Sequence, residues 1–484
     1  MERNPDAGPG AAGNRAAVTT GPGHAERAAA ALILRSEERK KELRRQLPET
    51  VPFLGRSGRR YHGVLDAYHG ETGFEIDPAA ARALRRAWND LAPHRIRRRG
   101  LPDYDKRQPL ELRESAAAHL FDRLHRPADG LAGVRVRPEE VVVCPYSSML
   151  MLEEVIATVV RPGGVIVCPE GFYKNFATHI AKFDVRVVVP EATPDDSFRI
   201  DPMALSRELE RHGDAVCAVL LTLPGNPVVT RYSSDELREL AAVLVAADVP
   251  VVCDMAFDRI VGGHIPLAAL EVPTAQGPVR LYDRMVTVTG NSKGYNAFGP
   301  CKLGAACSGD SRWLERIRAR LTIAFQREST HLVRAVLDHT PDAYFEHNRK
   351  LVREQFDTAL ERIAAINAEF GSNTLRPLGS GASMFLSVVA DSALLDAAGV
   401  GDSAALEDLL LAGAGIDSVA LGRTGSPRRG VRLNVLAPRH GPGTESRELI
   451  DELFDRLGGL VADLAGGATY RDILRRRGIA EPPA

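Results

Sequence analysis

The feature that most constrains the fold is a regular alternation, between Val136 and Ser308, of short apolar segments with stretches of helical periodicity. Short apolar runs rich in β-branched residues are typical of buried strands. Strands that alternate with helices in this way predict a mostly parallel sheet with helices on both faces. The predicted strands span residues 140–144, 165–168, 185–189, 215–221, 250–253 and 285–289. We therefore expect an α/β fold.

The regions on either side have a different character. Residues 1–25 are rich in Gly, Ala and Pro without apolar periodicity, which predicts a disordered leader. Residues 28–47 have helical apolar spacing and form either a helix that packs on a partner subunit or a solvated arm. Helical patterns follow from residue 312 to about residue 370, and residues 381–389 and 431–436 have strand patterns. We predict an N-terminal arm with part of a small domain over 26–95, a large domain over 96–325, and the rest of a small α+β domain over 326–484.

Composition excludes some classes of protein. The 484 residues carry a formal net charge of -1, which gives no electrostatic reason to expect binding to nucleic acid or membranes. No apolar run approaches the roughly 20 residues that a membrane span requires. The six cysteines are scattered without the paired spacings of a metal site, so we expect no bound metal and reduced thiols in a cytoplasmic protein.

Lys293 is the most informative single residue. It lies in the stretch Thr289-Gly290-Asn291-Ser292-Lys293-Gly294-Tyr295, directly after the predicted strand 285–289. In open α/β sheets, ligands bind at the carboxyl ends of the strands. An isolated lysine is usually a solvated surface charge, but this position favours a lysine in a binding site.

Four other predicted strand ends carry polar or aromatic residues. Asp254 is either a carboxylate for a ring nitrogen or a helix cap, and Asn226 is either a donor to a ring oxygen or part of a turn. Ser147 and Ser148 precede an apolar helix, where they form either an anion site or an ordinary cap. Aromatic residues in the segment 169–176 either stack on a planar ring or fill the core.

The order and spacing of these segments resemble the fold-type I, pyridoxal-phosphate-dependent class I/II aminotransferase superfamily, from about Tyr61 to Leu464. The resemblance implies pyridoxal 5'-phosphate as cofactor, a large α/β/α domain with a mostly parallel seven-stranded sheet, and a smaller α+β domain. It also implies a homodimer with shared active sites. Within the superfamily, residues 169–176 and 292–308 are most similar to 1-aminocyclopropane-1-carboxylate synthases.

The resemblance assigns catalytic roles to three residues. Lys293 resembles the lysine that holds the cofactor as a Schiff base and moves protons. Asp254 resembles the partner of the pyridine nitrogen, and Tyr173 the aromatic residue that stacks on the ring. Asn226 resembles the donor to the ring hydroxyl. Arg432, in Gly430-Val431-Arg432-Leu433-Asn434, resembles the arginine that binds the substrate carboxylate, a task that suits its planar fork.

Other residues resemble the remaining contacts of the site. Ser147, Ser148 and Ser292 resemble the phosphate ligands. Tyr104 resembles the tyrosine that reaches the phosphate of the other subunit. Phe172, beside Tyr173, is assigned to the substrate side.

The sequence departs from the family pattern at three points. Phe257 stands at the cofactor where the family usually has a tyrosine, so a hydrogen bond to the ring oxygen is missing. Lys302 stands where a phosphate-binding arginine is expected. Asn226-Pro227-Val228-Val229 lacks the glycine that usually follows Asn-Pro. These departures suggest a specialised enzyme.

Three functional hypotheses follow. The first is an enzyme of specialised metabolism that acts on an α-amino acid through an external aldimine and a quinonoid, without transamination. Its expected chemistry is γ-elimination, replacement or C–C bond formation on S-adenosylmethionine or a similar amino acid. The second is an ordinary aminotransferase that transfers an amino group to a 2-oxo acid. The third is a cofactor-binding protein without catalysis.

Overall fold

The computed structural model describes residues 35–97, 104–125, 131, 133–436 and 446–479. The leader predicted for residues 1–25 lies outside the described residues. Within the described ranges, no helix combines the length and the apolar character that crossing a bilayer requires. All six cysteines are buried and none forms a disulfide.

A seven-stranded sheet forms the centre of the large domain. Leu303–Cys307 runs antiparallel to both of its neighbours, and the other six strands share one direction. In spatial order the strands are Val141–Pro145, Leu303–Cys307, Met285–Gly290, Val251–Asp254, Val216–Thr222, Gly164–Val167 and Val185–Val188. The prediction of an α/β fold with a mostly parallel seven-stranded sheet is confirmed.

Both faces of this sheet are covered, because alternate side chains of a strand point to opposite faces. Val141 and Val143 belong to one apolar core, whereas Val142 and Cys144 belong to another. The helices on the first face are Leu110–His119, Pro202–His212, Ser234–Ala247 and Arg327–Leu337. The helices on the second face are Ser148–Ala157, Asn175–Ile180 and Ser311–Arg320. Burial of each large apolar side chain contributes roughly 1.5–3 kcal/mol to the stability of the folded state, so the two cores stabilise the sheet from both faces.

The small domain is built on an antiparallel sheet of four strands. In spatial order they are Leu375–Pro377, Phe385–Ala390, Gly430–Asn434 and Val419–Ala420. The strand predicted over residues 381–389 begins only at Phe385, because the backbone N–H of Gly381 donates instead to the carbonyl of Val229 in the large domain (3.0 Å). The helices of this region are Asp342–Phe370, Ser392–Ala397, Ser403–Ala414, Ser446–Ala465 and Tyr470–Arg476.

The N-terminal region packs on the small domain of the same chain. Residues 35–46 are helical, and Leu43 is fully buried in a core shared with residues 356–479. The described part of this helix is therefore neither a solvated arm nor free to pack on another subunit through this face. The strand Leu65–Asp66 pairs in parallel with Ile416–Asp417.

The remaining elements are the hairpins Phe53–Leu54 with Arg60–Tyr61 and Glu271–Thr274 with Gly277–Arg280, and the helices Pro78–Arg97 and Asp122–His125. The domain limits given above stay predictions.

Candidate active site

Four predicted site residues meet at one edge of the large sheet. Asp254 is the last residue of its strand, and Asn226, Lys293 and Ser147 each follow closely after the end of another. These strands run in the same direction, so their carboxyl ends lie side by side. Arg432 and Phe385 of the small-domain sheet lie beside this edge, and we call the region that these residues share the opening.

Lys293 lies in this opening with its ammonium close to the N-terminal arm. Its Nζ donates to the backbone carbonyl of Gly70, and the ring of Phe385 lies nearby. Burial lowers the pKa of Lys293 from 10.5 to about 8, and the positive charges of Lys302 and Arg432 act in the same direction, while Glu71 opposes them. A lysine in this state is partly neutral near pH 8 and can act as a nucleophile or a base.

Asp254 is a buried carboxylate, with 5% of its surface exposed. It accepts a hydrogen bond from the backbone N–H of Ala256 at 2.9 Å. Burial, with a smaller contribution from the negative charge of Asp258 and against the hydrogen bond from Ala256, raises its pKa from 3.8 to about 6. An ionised carboxylate in such a place requires a cationic partner, because desolvation penalises the charge.

Arg432 and Asn226 form one buried unit. Arg432 Nη1 donates to Asn226 Oδ1 at 2.9 Å, and Nη2 donates to the backbone carbonyl of Tyr68. The guanidinium carbon lies 3.9 Å from the centre of the Phe385 ring, a cation–π contact that fixes the plane of the fork. Burial lowers the pKa of Arg432 to about 10. Its Nε is buried and has no hydrogen-bond partner among the described residues.

The turn that carries Asn226 depends on glycine. A Cβ on Gly225 would lie 1.7 Å from the carbonyl oxygen of Val228, so no other residue fits this turn without moving it. The close approach fixes where the Asn226 amide points. The missing glycine after Asn226-Pro227 does not open the turn, because Val228 and Val229 are both buried.

Tyr173 and Phe172 are neighbours in sequence but differ in their surroundings. The hydroxyl of Tyr173 accepts from Asn175 at 2.6 Å, and the charges of Asp254 and Arg432 both influence its pKa, which burial raises. Phe172 is 4% exposed and belongs to the apolar core on the second face of the sheet. Both rings pack on this core, but Tyr173 is only partly buried and lies within electrostatic reach of Asp254 and Arg432, whereas Phe172 is enclosed in the core.

The predicted phosphate ligands surround the start of a helix. The helix Ser148–Ala157 begins after Ser147 and has no side-chain cap, so its first N–H groups are available to an anion. Ser292 Oγ is buried without a hydrogen-bond partner among the described residues. Lys302 is close enough to Lys293 to lower its pKa. These groups together provide donors and positive charge.

Two further predicted residues have distinct positions. Phe257 is buried and packs edge-to-face on Phe385, with 5.4 Å between ring centres. Tyr104 is 61% exposed and pairs through its backbone with Gln326. It lies on the surface of the chain.

Several residues around the opening carry no sequence signal of their own. Tyr68, Gly70 and Asn434 connect the N-terminal arm to the site, and Asn434 Nδ2 donates to the carbonyls of His69 and Glu71. Their partners are separated from them by more than 200 residues in the chain. Only knowledge of the tertiary fold identifies them.

A comparison with protein-family models matches residues 67–425 to "Aminotransferase class I and II". This match spans well over half of the chain. The chain belongs to the class I and II aminotransferase family. The cofactor of this family is pyridoxal 5'-phosphate.

Relatives of this aminotransferase-family chain include a probable N-succinyldiaminopimelate aminotransferase of Mycobacterium tuberculosis, 27% identical over 191 residues. That match covers 39% of this chain and 45% of the relative, so the chain spans less than half the length of this protein. The solved structure of the M. tuberculosis N-succinyldiaminopimelate aminotransferase is similar with a TM-score of 0.64 and 23% identity, over 82% of this chain and 93% of the other. The structure of the Thermus thermophilus aspartate aminotransferase with maleate is similar with a TM-score of 0.65 and 20% identity. That match covers 88% of this chain and 96% of the other. These structures support the fold.

The residues present in the opening fit pyridoxal phosphate. The buried carboxylate of Asp254 suits a protonated ring nitrogen, and Lys293 suits the aldehyde. The unpartnered Ser292 hydroxyl and the uncapped start of the helix Ser148–Ala157 suit the phosphate. Ser292 Oγ and Arg432 Nε are buried donors without a partner among the described residues, and bound anionic groups would satisfy them.

Proposed function

We propose that the protein is a pyridoxal-phosphate-dependent aminotransferase that takes the amino group of an α-amino acid and transfers it to a 2-oxo acid. The observation that carries the proposal is the convergence of Lys293, Asp254 and Arg432 on one opening at the carboxyl edge of the sheet. A base, a buried acid and a guanidinium that binds a carboxylate are the three groups that amino-acid chemistry on this cofactor requires. The names of the relatives support the same reaction class.

The bound cofactor supplies an electron sink that makes the α-proton of an amino acid acidic. Lys293, with its pKa lowered to about 8, accepts that proton and returns it to another position. With the cofactor bound, Asp254 would hold a proton at the ring nitrogen, and Asn226 would donate its amide to the ring oxygen. Tyr173 would cover the ring face and exclude water from it.

Arg432 binds the α-carboxylate of the substrate. A guanidinium has five N–H donors, and two of them are already used by Asn226 and Tyr68. The remaining donors include Nε, which has no partner in the described structure. Two of them satisfy a bidentate contact to a carboxylate, and the cation–π contact with Phe385 keeps the fork in one plane.

The proposal is tested by mixing purified holoprotein with single amino acids and recording the cofactor spectrum, followed by mass spectrometry. We expect one amino acid, alone, to convert the cofactor to pyridoxamine phosphate with release of the matching 2-oxo acid. Lys293→Ala should lose both the lysine-bound absorbance and the conversion. A variant that keeps both would refute the role of Lys293. A wild-type protein that binds the cofactor but converts neither an amino acid nor S-adenosylmethionine would favour the noncatalytic hypothesis.

A second candidate is nontransaminating chemistry on S-adenosylmethionine, as in the 1-aminocyclopropane-1-carboxylate synthases that the sequence resembles. Phe257 favours it, because a buried phenylalanine against Phe385 offers no hydroxyl to the ring oxygen. The same assay separates the two: S-adenosylmethionine should release methylthioadenosine in the second case and a 2-oxo acid in the first. Absence of methylthioadenosine with every acceptor tested would rule the second candidate out.

We also propose that the protein is a cytoplasmic homodimer whose subunits share active sites. Large apolar side chains are exposed on this chain, among them Trp88, Tyr146 and Phe298, and Tyr146 directly precedes Ser147. Tyr104 is exposed as well, in agreement with a role at the phosphate of the other subunit. Light scattering should give twice the monomer mass, and Tyr104→Phe should weaken cofactor binding without changing that mass. A monomer in solution would contradict the shared site.

A further inference from the structure

Lys174 is a largely buried cation next to Tyr173 and Tyr68, at what we call the wall of the opening. It follows Tyr173 directly, and only 15% of its side chain is exposed. Its Nζ donates to the hydroxyl of Tyr68, the residue whose backbone carbonyl accepts from Arg432. The positive charge of Arg432 also lowers the pKa of Lys174, after the larger effect of burial. Lys174 thus lies on the same side of the opening as Arg432, the proposed partner of the substrate α-carboxylate.

Glu37 neutralises this cation. Its Oε1 accepts from Lys174 Nζ at 2.8 Å, and in the described part of the chain Lys174 forms an ion pair with Glu37 alone. Burial raises the pKa of Glu37, but the hydrogen bond and charge of Lys174, with the charge of Arg423, outweigh it and lower the pKa below 4.5. Glu37 is therefore ionised at neutral pH.

The helix 35–46 holds Glu37 in this position from the small domain. Lys40, one turn further along, uses all three of its N–H donors, on Glu407 (3.1 Å), Asp417 (2.8 Å) and the carbonyl of Ser418 (2.9 Å). Lys40 is also nearly buried, so this anchor is shielded from solvent. The carboxylate of Glu37 is consequently a fixed part of the wall.

A second carboxylate on a substrate would compete with Glu37 for Lys174. If it displaced Glu37, that half-buried carboxylate would lose its hydrogen-bonded cation. It would keep Arg423, whose Nη1 lies 3.5 Å away and whose Nη2 already binds Glu407, and a long hydrogen bond from the Tyr68 hydroxyl (3.4 Å). If it did not displace Glu37, two carboxylates would face each other at one cation. Either outcome, an unpaired Glu37 or two carboxylates at one cation, weakens the binding of an acidic substrate. Specificity would therefore arise from an unfavourable contact with the wrong substrate.

We propose that Glu37 is a specificity-determining residue that holds Lys174 away from the substrate and selects amino acids without a second carboxylate. The inference rests on the proposed function, because it assumes that Arg432 binds the α-carboxylate. It predicts the charge of the substrate: the substrate side chain that reaches this wall is neutral or cationic.

The test is the preference between paired amino acids that differ only in charge, aspartate against asparagine and glutamate against glutamine. Each is measured as a substrate, or as a competitive inhibitor where the enzyme does not convert it. In Glu37→Gln, freed Lys174 should raise the relative preference for the acidic partner at least tenfold. Glu42→Gln, on the same helix but paired on the surface with Arg45, should change it less than twofold.

A double variant identifies the cation. Adding Lys174→Met to Glu37→Gln should abolish the gain, which a merely structural effect of Glu37 would not predict. If Glu37→Gln does not fold, Glu37→Asp, whose shorter side chain loosens the ion pair, should give a smaller gain of the same sign. An unchanged preference in a folded, active Glu37 variant overturns the inference. A wild-type protein that converts no amino acid instead overturns the proposed function.

Discussion

Replacing Asp254 by asparagine should stabilise the cofactor-free protein and destabilise the cofactor-bound one. The asparagine keeps an oxygen that accepts the N–H of Ala256 and removes only the buried charge. Burial raises the pKa of Asp254 from 3.8 to about 6. At about 1.4 kcal/mol per pKa unit, ionised Asp254 costs the native state about 3 kcal/mol.

The sign of this effect depends on pH. Below about pH 4 the carboxyl group is protonated in both the folded and the unfolded state, so the penalty is absent. Between about pH 4 and 6 the unfolded state loses its proton first, and the native state becomes progressively less favoured. Above pH 6 the penalty is complete. The variant should therefore match the wild type near pH 4 and exceed it by about 3 kcal/mol at pH 8.

The assay is urea unfolding of both proteins without cofactor at several pH values, with Asp357→Asn, on the exposed side of a helix, as control. With cofactor added, a ring cation compensates the charge of Asp254, and the wild type should become the more stable protein. A variant that is not more stable without cofactor at pH 8 refutes the argument from burial. A variant that binds the cofactor as tightly as the wild type refutes the pairing with the ring nitrogen.

Three further predictions concern other parts of the opening. The rate at which cofactor-free protein captures pyridoxal phosphate should rise with pH through about 8, the pKa of Lys293, and Lys293→Ala should abolish this rise; stopped-flow absorbance measures it. Arg432→Lys should raise KM for the amino acid roughly 30- to 150-fold, because a bidentate charged contact is worth about 2–3 kcal/mol, while cofactor affinity, measured by titration, falls much less, through the contact with Asn226 alone. Gly225→Ala should lower both thermal stability and cofactor affinity, since its Cβ would collide with the carbonyl of Val228 and move Asn226. Calorimetry and cofactor titration measure the two effects, and unchanged values of both would show that the turn tolerates a side chain.

The sequence predicted the large domain well because the signal there is local. A strand buried on both faces is a short apolar run, and its end is marked by a change to polar residues. Asp254 and Lys293 could be singled out for that reason, since parallel strands bring their ends to one edge. The same reasoning failed for the strand at Phe385, whose start depends on a contact with the carbonyl of Val229.

The rest of the opening could not be predicted because its contacts join distant segments. Tyr68 and Arg432 meet across 364 positions, and Lys174 and Glu37 across 137. Nothing in the local pattern around Tyr68 indicates a binding site. For the pair Phe172-Tyr173, the sequence could not show that both rings pack on one core and that Tyr173 also lies near Asp254 and Arg432, because those neighbours come from distant strands.

The charge of the wall around Lys174 bears directly on which reaction the enzyme performs. S-adenosylmethionine carries a positive sulfonium group, and a wall in which Glu37 cancels Lys174 does not repel it. An enzyme specialised for dicarboxylic amino acids requires the opposite, a cation free to pair with the distal carboxylate. If Glu37→Gln shifts the preference towards acidic amino acids, the wild-type wall suits neutral or cationic side chains, and S-adenosylmethionine stays a candidate. If Glu37 has no such effect, charge at this wall gives no reason to prefer S-adenosylmethionine, and Phe257 alone supports nontransaminating chemistry.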